Sequence, residues 1–323
     1  MTFLNRDTTN LKAKFNKDKN QRKKKVILKY LEVRSMTLTI AVHSLRGGTG
    51  KTLLSVNLAA YLVQQGFRVV ILDMDLGAPS LQTYIDGEGK KRINDYFSGQ
   101  ARPDEFIFDA TTLIGRNIEG KLFMGLADDK SEIISKITQQ TKEASLDNLY
   151  KLISLIDDIL PKDPWNADFV ILDTSPGFSA DSLNAVAAAK HLILMLRLIN
   201  ADISGTRQML ETLYSGLKPR TSLILNQVPH AFLEDDGEEY TKMLVRKHII
   251  EFVDPQKVNV CGFIPIDFEV IEKEAEFAMY FLEGLKAQRP IHVVANPNGN
   301  LAKNMPQIAD CFLKLAFKKE EDM

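Results

Sequence analysis

The sequence predicts an α/β protein, a mostly parallel sheet covered by helices on both faces. Short β-rich apolar runs alternate with helically spaced segments along most of the chain. The runs are apolar throughout rather than alternating, as in strands buried on both faces. The first run leads directly into a glycine loop and then a helical pattern, an order that builds an anion site from unpaired N–H groups and the helix dipole. With 323 residues and 45 % apolar content, the chain has ample material for a core.

Each element follows in turn. Residues 38–42 (Leu-Thr-Ile-Ala-Val) read as a buried strand. From 51 to 65, Leu53, Leu54, Val56, Leu58, Ala59, Leu62 and Val63 recur at helical spacing, and Gly66 ends the helix as a C-terminal cap. Residues 68–72 form a second strand, followed by Asp73 and Asp75 and a turn at Gly77-Ala78-Pro79-Ser80. Residues 121–126 are a third strand, and 131–160 read as one or two helices ended by Pro161 and Pro164. Strands at 169–172, 191–196, 222–225 and 262–264 complete one domain over residues 36–317. A basic tail (1–35) and a charged C-terminal tail (318–323) flank it.

A total charge of −1 hides an asymmetry. Residues 1–35 hold eleven Lys or Arg against Asp7, Asp18 and Glu32, a net +8 that leaves −9 for the other 288 residues. The tail is poor in apolar residues before Val26 and reads as disordered. Two readings stand: a basic arm for nucleic acid or anionic membrane, or a solvated segment upstream of a start at Met36. Cys261 and Cys311 lie far apart in sequence, which argues against a disulfide framework or a thiol metal cluster. No apolar run approaches the roughly 18 residues of a membrane span, and the N-terminus lacks an apolar signal core. The expected location is cytoplasmic, with a peripheral place at membrane or nucleoid left open.

The decisive stretch runs from Ser44 to Thr52, Ser-Leu-Arg-Gly-Gly-Thr-Gly-Lys-Thr. An ordinary phosphate loop reads G-x-x-x-x-G-K-[ST]. Here Gly50-Lys51-Thr52 supplies its end, but Leu45 stands where the first glycine belongs. Gly47 and Gly48 follow a cation, Arg46, which makes this a deviant Walker A loop. Gly47, Gly48, Thr49, Gly50, Lys51, Thr52 and Leu53 are the expected nucleotide-binding set, with backbone amides and Lys51 on the β and γ phosphates.

Open parallel sheets bind ligands at the carboxyl ends of their strands, so the residues there are the remaining candidates. Mg²⁺ would take the Thr52 hydroxyl directly and Asp173, the Walker B carboxylate, through a water, with Asp73 in the metal shell. Asp75 is the candidate for orienting the attacking water. Both Asp73 and Asp75 have a structural alternative, capping the next element. Gly177 suits a switch, because its N–H can approach a γ-phosphate without a Cβ clash. Asn226 offers the donor and acceptor needed to read an adenine edge, or is a turn residue. The backbone after Pro265, to Asp267, would close the base pocket.

Together the 46–52 loop, Asp73-Met74-Asp75, Asp173-Thr174-Ser175-Pro176-Gly177, Leu225-Asn226-Gln227-Val228 and Gly262-Phe263-Ile264-Pro265 resemble the ParA/MinD family of P-loop ATPases, in that family's order and over residues 36–317. The resemblance implies a Rossmann-like fold, ATP and Mg²⁺ as cofactors, and a homodimer with two nucleotides sandwiched face to face. It further implies slow hydrolysis that separates the dimer. By position Asp75 matches the catalytic Asp, Lys51 the Walker A lysine, and Arg46 the signature lysine that reaches across the dimer. Arg46 is the main departure: it keeps the charge, but its planar fork differs from an ammonium. The related iron–sulfur carriers, tail-anchor ATPases and nitrogenase-reductase-like proteins use cysteine motifs that this chain lacks.

The resemblance implies a dimer switch that positions or partitions a cargo, helped by an activator or cargo adaptor. The alternative is a low-turnover scaffold whose ATP state binds a partner. Non-specific DNA and a membrane surface are both candidate matrices, and a core of −9 disfavours the first. Ile308, Cys311, Phe312 and Leu315 form an apolar stripe near the end, read as the last core helix rather than an added membrane anchor.

Overall fold

The computed structural model describes residues 37–133, 141–217, 219–254 and 256–317. The basic tail and residues 318–323 therefore lie outside the described residues. Among the described residues, eight strands form one sheet: β1 (Leu38–His43), β2 (Arg68–Met74), β3 (Ile107–Asp109), β4 (Lys121–Gly125), β5 (Phe169–Thr174), β6 (His191–Arg197), β7 (Arg220–Val228) and β8 (Val258–Pro265). Their order across the sheet is β3-β4-β2-β5-β1-β6-β7-β8. Every pairing is parallel except β3 with β4.

The main helices are α1 (Lys51–Gln64), α2 (Lys142–Ser154), α3 (Ala180–Ala188), α4 (Asn200–Gly216), α5 (Gly237–Ile249), α6 (Phe268–Leu282) and α7 (Asn300–Ala316). The doubly covered sheet explains the continuous apolar runs. Ile40, Ala41, Val42, Val69, Val70, Leu72, Val170, Ile171 and Leu172 are all fully buried. In α1, Leu54, Val56, Leu58, Leu62 and Val63 reach the core and fix the helix behind the glycine loop. Gly66 adopts a positive φ of 92° just past its end.

Two expectations need correction, and a third gains detail. The strand at 121–125 is fourth in the chain, because a three-residue antiparallel strand at Ile107–Asp109 precedes it. A run that short carries no legible period. The 131–160 region contains α2, whose N-cap Thr141 accepts from the Ala144 amide at 3.3 Å, followed by a wider π-type turn over Leu155–Ile159; residues 134–140 lie outside the described part. Finally, Cys261 and Cys311 form a disulfide, with Cα atoms 5.3 Å apart. Fifty residues of sequence did not keep them apart, because α7 packs directly on β8.

The stripe on α7 is core, as its spacing suggests: Met305, Ile308 and Phe312 are essentially inaccessible. No helix among the described residues is long and apolar enough to cross a membrane.

Candidate nucleotide site

The site forms where β1, β2, β5 and β7 end. Register sets it: Val42 and Asp73 both stand opposite Asp173, on either side of β5. Gly50 caps α1 in the left-handed region, φ 91°. It also admits a close approach, since a Cβ there would lie 2.5 Å from Asn226 Nδ2. That proximity serves a bond: Asn226 Nδ2 donates to the Thr49 carbonyl at 2.8 Å, while its Oδ1 accepts from the Gln227 amide at 2.9 Å. Asn226 thus ties the end of β7 to the loop, with its acceptor already used by its own chain.

Lys51 is only 7 % exposed. Burial holds its pKa below the ordinary lysine value, and the carboxylates of Asp173 and Asp75 act against that. Asp173 is fully buried; Ser55 Oγ donates to its Oδ1 at 2.9 Å, and Oδ2 has no partner among the described residues. Burial pushes Asp173 up to about 6, against the hydroxyls of Thr52 and Ser55 and the charge of Lys51. The Thr52 hydroxyl bonds Ser80 Oγ at 2.9 Å. A hydroxyl and a buried carboxylate oxygen without a partner, beside a phosphate loop, fit the oxygen donors a Mg²⁺ ion requires. 

The two aspartates at the end of β2 separate in role. Asp73 is fully buried and its pKa is raised, chiefly by burial and then by Asp173. Its Oδ1 accepts from the Asp75 amide, and Oδ2 accepts from the amides of Ser80 and Leu81. It shapes the 75–81 loop and lies in the last residues of β2, not beyond it. Asp75 is half-buried, accepts from the Ala78 amide at 3.1 Å, and has a raised pKa, mainly through burial, opposed by that amide and Lys51.

Gly177, at φ 80°, donates its amide to the Ser44 carbonyl at 2.9 Å. Asp267 N-caps α6, accepting from the amides of Glu269 and Val270. The Ile266 amide bonds the Val228 carbonyl, joining the Pro265–Asp267 turn to the end of β7.

Leu45 and Arg46 both rest on α4. A Cβ on Gly205 would overlap the Leu45 side chain. Arg46 Nε lies 3.4 Å from the Ala201 carbonyl and 3.8 Å from the Asp202 carboxylate, with the Arg46 side chain 53 % exposed and Asp202 nearly inaccessible. Asp202 is held in turn by Arg197, whose Nε donates at 2.9 Å.

Sequence reasoning missed Ser55, Ser80, Asp181, Asp202 and His43. Ser55 was within reach of it, three residues after Thr52 on the same helical face. Asp181 lies near Asp75 and is pushed up to about 6 by burial and by that charge. His43 Nδ1 lies 2.7 Å from Thr174 Oγ1, which spends its single proton on the Val42 carbonyl at 2.9 Å. His43 must therefore carry its proton on Nδ1. Burial, followed by Lys51, pushes this His down to about 4.

A doubly covered, mostly parallel sheet with a glycine loop, a buried lysine and a buried aspartate at its carboxyl edge defines a P-loop nucleotide-binding protein. Residues 40–278 match the family model of the CobQ/CobB/MinD/ParA nucleotide binding domain, and the chain belongs to that family. An uncharacterized ATP-binding protein of Methanocaldococcus jannaschii is 27 % identical over 245 residues, 75 % of this chain and 79 % of that protein. The septum site-determining protein MinD of Synechocystis is 25 % identical over 236 residues, 73 % and 79 % of the two chains. The structure of MinD from Pyrococcus horikoshii complexed with Mg-ADP superposes with a TM-score of 0.62 at 21 % identity, covering 87 % of this chain and 98 % of that one.

Proposed function

We propose that this chain binds ATP with Mg²⁺ and hydrolyses it slowly, as a homodimer switch that positions a cargo. The observation that carries this reading is the division of the two loop cations. Lys51 is buried among the carboxylates of its own site, while the Arg46 side chain lies half-exposed at the rim. A cation on the outside of its own phosphate loop is suited to a partner's phosphates, where a bidentate guanidinium binds well.

In this reading Thr52 and Asp173 hold Mg²⁺, which supplies charge neutralisation of the phosphates. Lys51 and the loop amides hold the β and γ phosphates, and Asp75 orients a water. The Gly177 amide exchanges the Ser44 carbonyl for a phosphate oxygen, which couples nucleotide state to the chain around Phe178. The base is held by backbone near Val228 and Pro265–Asp267, and Asn226 supports the loop. Similarity to a septum site-determining protein supports positioning as the output, and an activator or cargo adaptor is the partner this reading calls for.

A second reading, a low-turnover scaffold, draws on one contact: Arg46 already rests on Ala201 and Asp202 of its own chain. Turnover measured with and without DNA and liposomes, beside molar mass in ATP and ADP, separates the two. Negligible turnover under every condition, with ATP-dependent dimers, selects the scaffold; no ATP-dependent dimer removes both.

A further inference from the structure

Two helices of this chain carry the same apolar period and meet opposite fates. On α7, Leu301, Met305, Ile308, Phe312 and Leu315 recur at steps of four and three, and all are buried against the sheet. On α6, Phe268, Ile271, Ala275, Ala278 and Leu282 recur at steps of three and four, and all five are exposed. This is the 3.5-residue seam with which helices pair. No residue of α6 is buried, and Phe268, Leu282 and the adjoining Phe281 are each more than 70 % exposed.

Polar contacts fasten α6 to the body. Glu274 accepts from Arg289 Nε at 2.7 Å and lies 2.9 Å from His292 Nε2, while Asn296 Nδ2 donates to Glu269 at 2.7 Å. Val270, Glu274 and Phe277, all half-buried, form the inward side of the helix, with its apolar seam turned to solvent. Exposed apolar surface of this extent marks an interaction site.

Charge narrows the occupant. Glu274 is matched by Arg289 and Glu276 by Lys273, at 2.8 Å, which leaves Glu269, Glu283 and Glu272, next to the seam, against Lys286. That balance opposes anionic lipid, and it opposes pairing with α6 of a second copy, where like charges would flank the seam. We propose that the outward seam of α6 docks a basic amphipathic helix of a partner protein. This deepens the reading above by giving the adaptor a chemistry. It is measured without nucleotide turnover, so its failure leaves the ATP-driven dimer standing.

The test uses the full chain and labelled synthetic peptides of about three heptads, with Leu at both seam positions. One peptide has Lys at the flanking positions, a second has Glu there, and a third keeps Lys but has Ser along the seam. Fluorescence anisotropy should show the Lys-flanked peptide binding at least tenfold tighter than the Glu-flanked one. That binding should weaken with salt, and the Ser-seam peptide should not bind. Ile271→Glu and, as a milder second variant, Leu282→Ser should each weaken it at least tenfold with ADP affinity and thermal midpoint unchanged. Equal binding of the Lys- and Glu-flanked peptides, or indifference to both substitutions, overturns the proposal. So does recruitment to anionic vesicles, or a nucleotide-independent dimer lost in Ile271→Glu, since these assign the face to lipid or to a second copy.

Discussion

Leu45 occupies the space that a side chain on Gly205 would need, so the phosphate loop and α4 are fitted to each other. The residue that departs from the ordinary loop sequence is the one that makes this contact. Gly205→Ala should gain about 1 kcal/mol of helix propensity but lose roughly 1–3 kcal/mol to overpacking, for a net destabilisation. In a Leu45→Ala background the overlap is gone, and the same substitution should stabilise. A denaturant-melt double-mutant cycle checks the sign reversal; additive effects would mean that the two residues are not packed together.

The neighbouring pair, Arg46 and Asp202, bears on the switch. Arg46→Ala should leave ADP affinity within a few-fold and abolish the ATP-dependent dimer, read by isothermal titration and light scattering. An Arg46→Ala protein that dimerises with ATP and hydrolyses it at the parent rate removes Arg46 from any role in trans.

Asn226 supports the loop through a single donated hydrogen bond to Thr49. Asn226→Asp keeps the shape, removes the donor and buries a charge against a carbonyl. The cost should be at least about 2 kcal/mol, with nucleotide affinity falling at least tenfold in titration calorimetry. Unchanged affinity would place the support of the loop elsewhere.

Acid titration should distinguish Asp173 from His43. Burial raises Asp173 from 3.8 to about 6, so above pH 6 the folded protein holds its carboxylate charge at a cost. Asp173→Asn removes that cost and should be more stable than the parent by roughly 3 kcal/mol at pH 8, with the gain fading as pH falls from about 6 to 4. His43 has the opposite sign: its lowered value, about 4, means that stability is lost as pH falls below about 6.5. Without Asp173 to offset it, the variant should lose stability on acidification faster than the parent. Thermal melts at pH 5 and 8 decide this, and Asp173→Asn should also lose the added stabilisation by Mg²⁺ and ADP.

Much of this molecule could be read from its sequence. The strands other than β3, and α1, were legible because burial on both faces leaves continuous apolar runs and a helical stripe, as in residues 38–42 and 51–64. The places of the glycine loop between β1 and α1 and of Asp173 at the end of β5 were legible because an apolar run stops just before each. The remainder depended on pairings across long separations. Nothing local to Cys261 announces Cys311, and nothing local to Leu45 announces Gly205. Asn226 and Asp73 were recognised as residues at the edge, yet the backbone groups that use their side chains could be found only in three dimensions. α6 shows the converse limit: its period marks an amphipathic helix, but periodicity alone does not say whether the apolar side is covered.

The most direct measurement is the molar mass of an Asp75→Ala protein by light scattering, in Mg²⁺ with ATP and then with ADP. A switch in which Asp75 orients the hydrolytic water requires about twice the monomer mass in ATP and the monomer mass in ADP. The same mass in both nucleotides would contradict it.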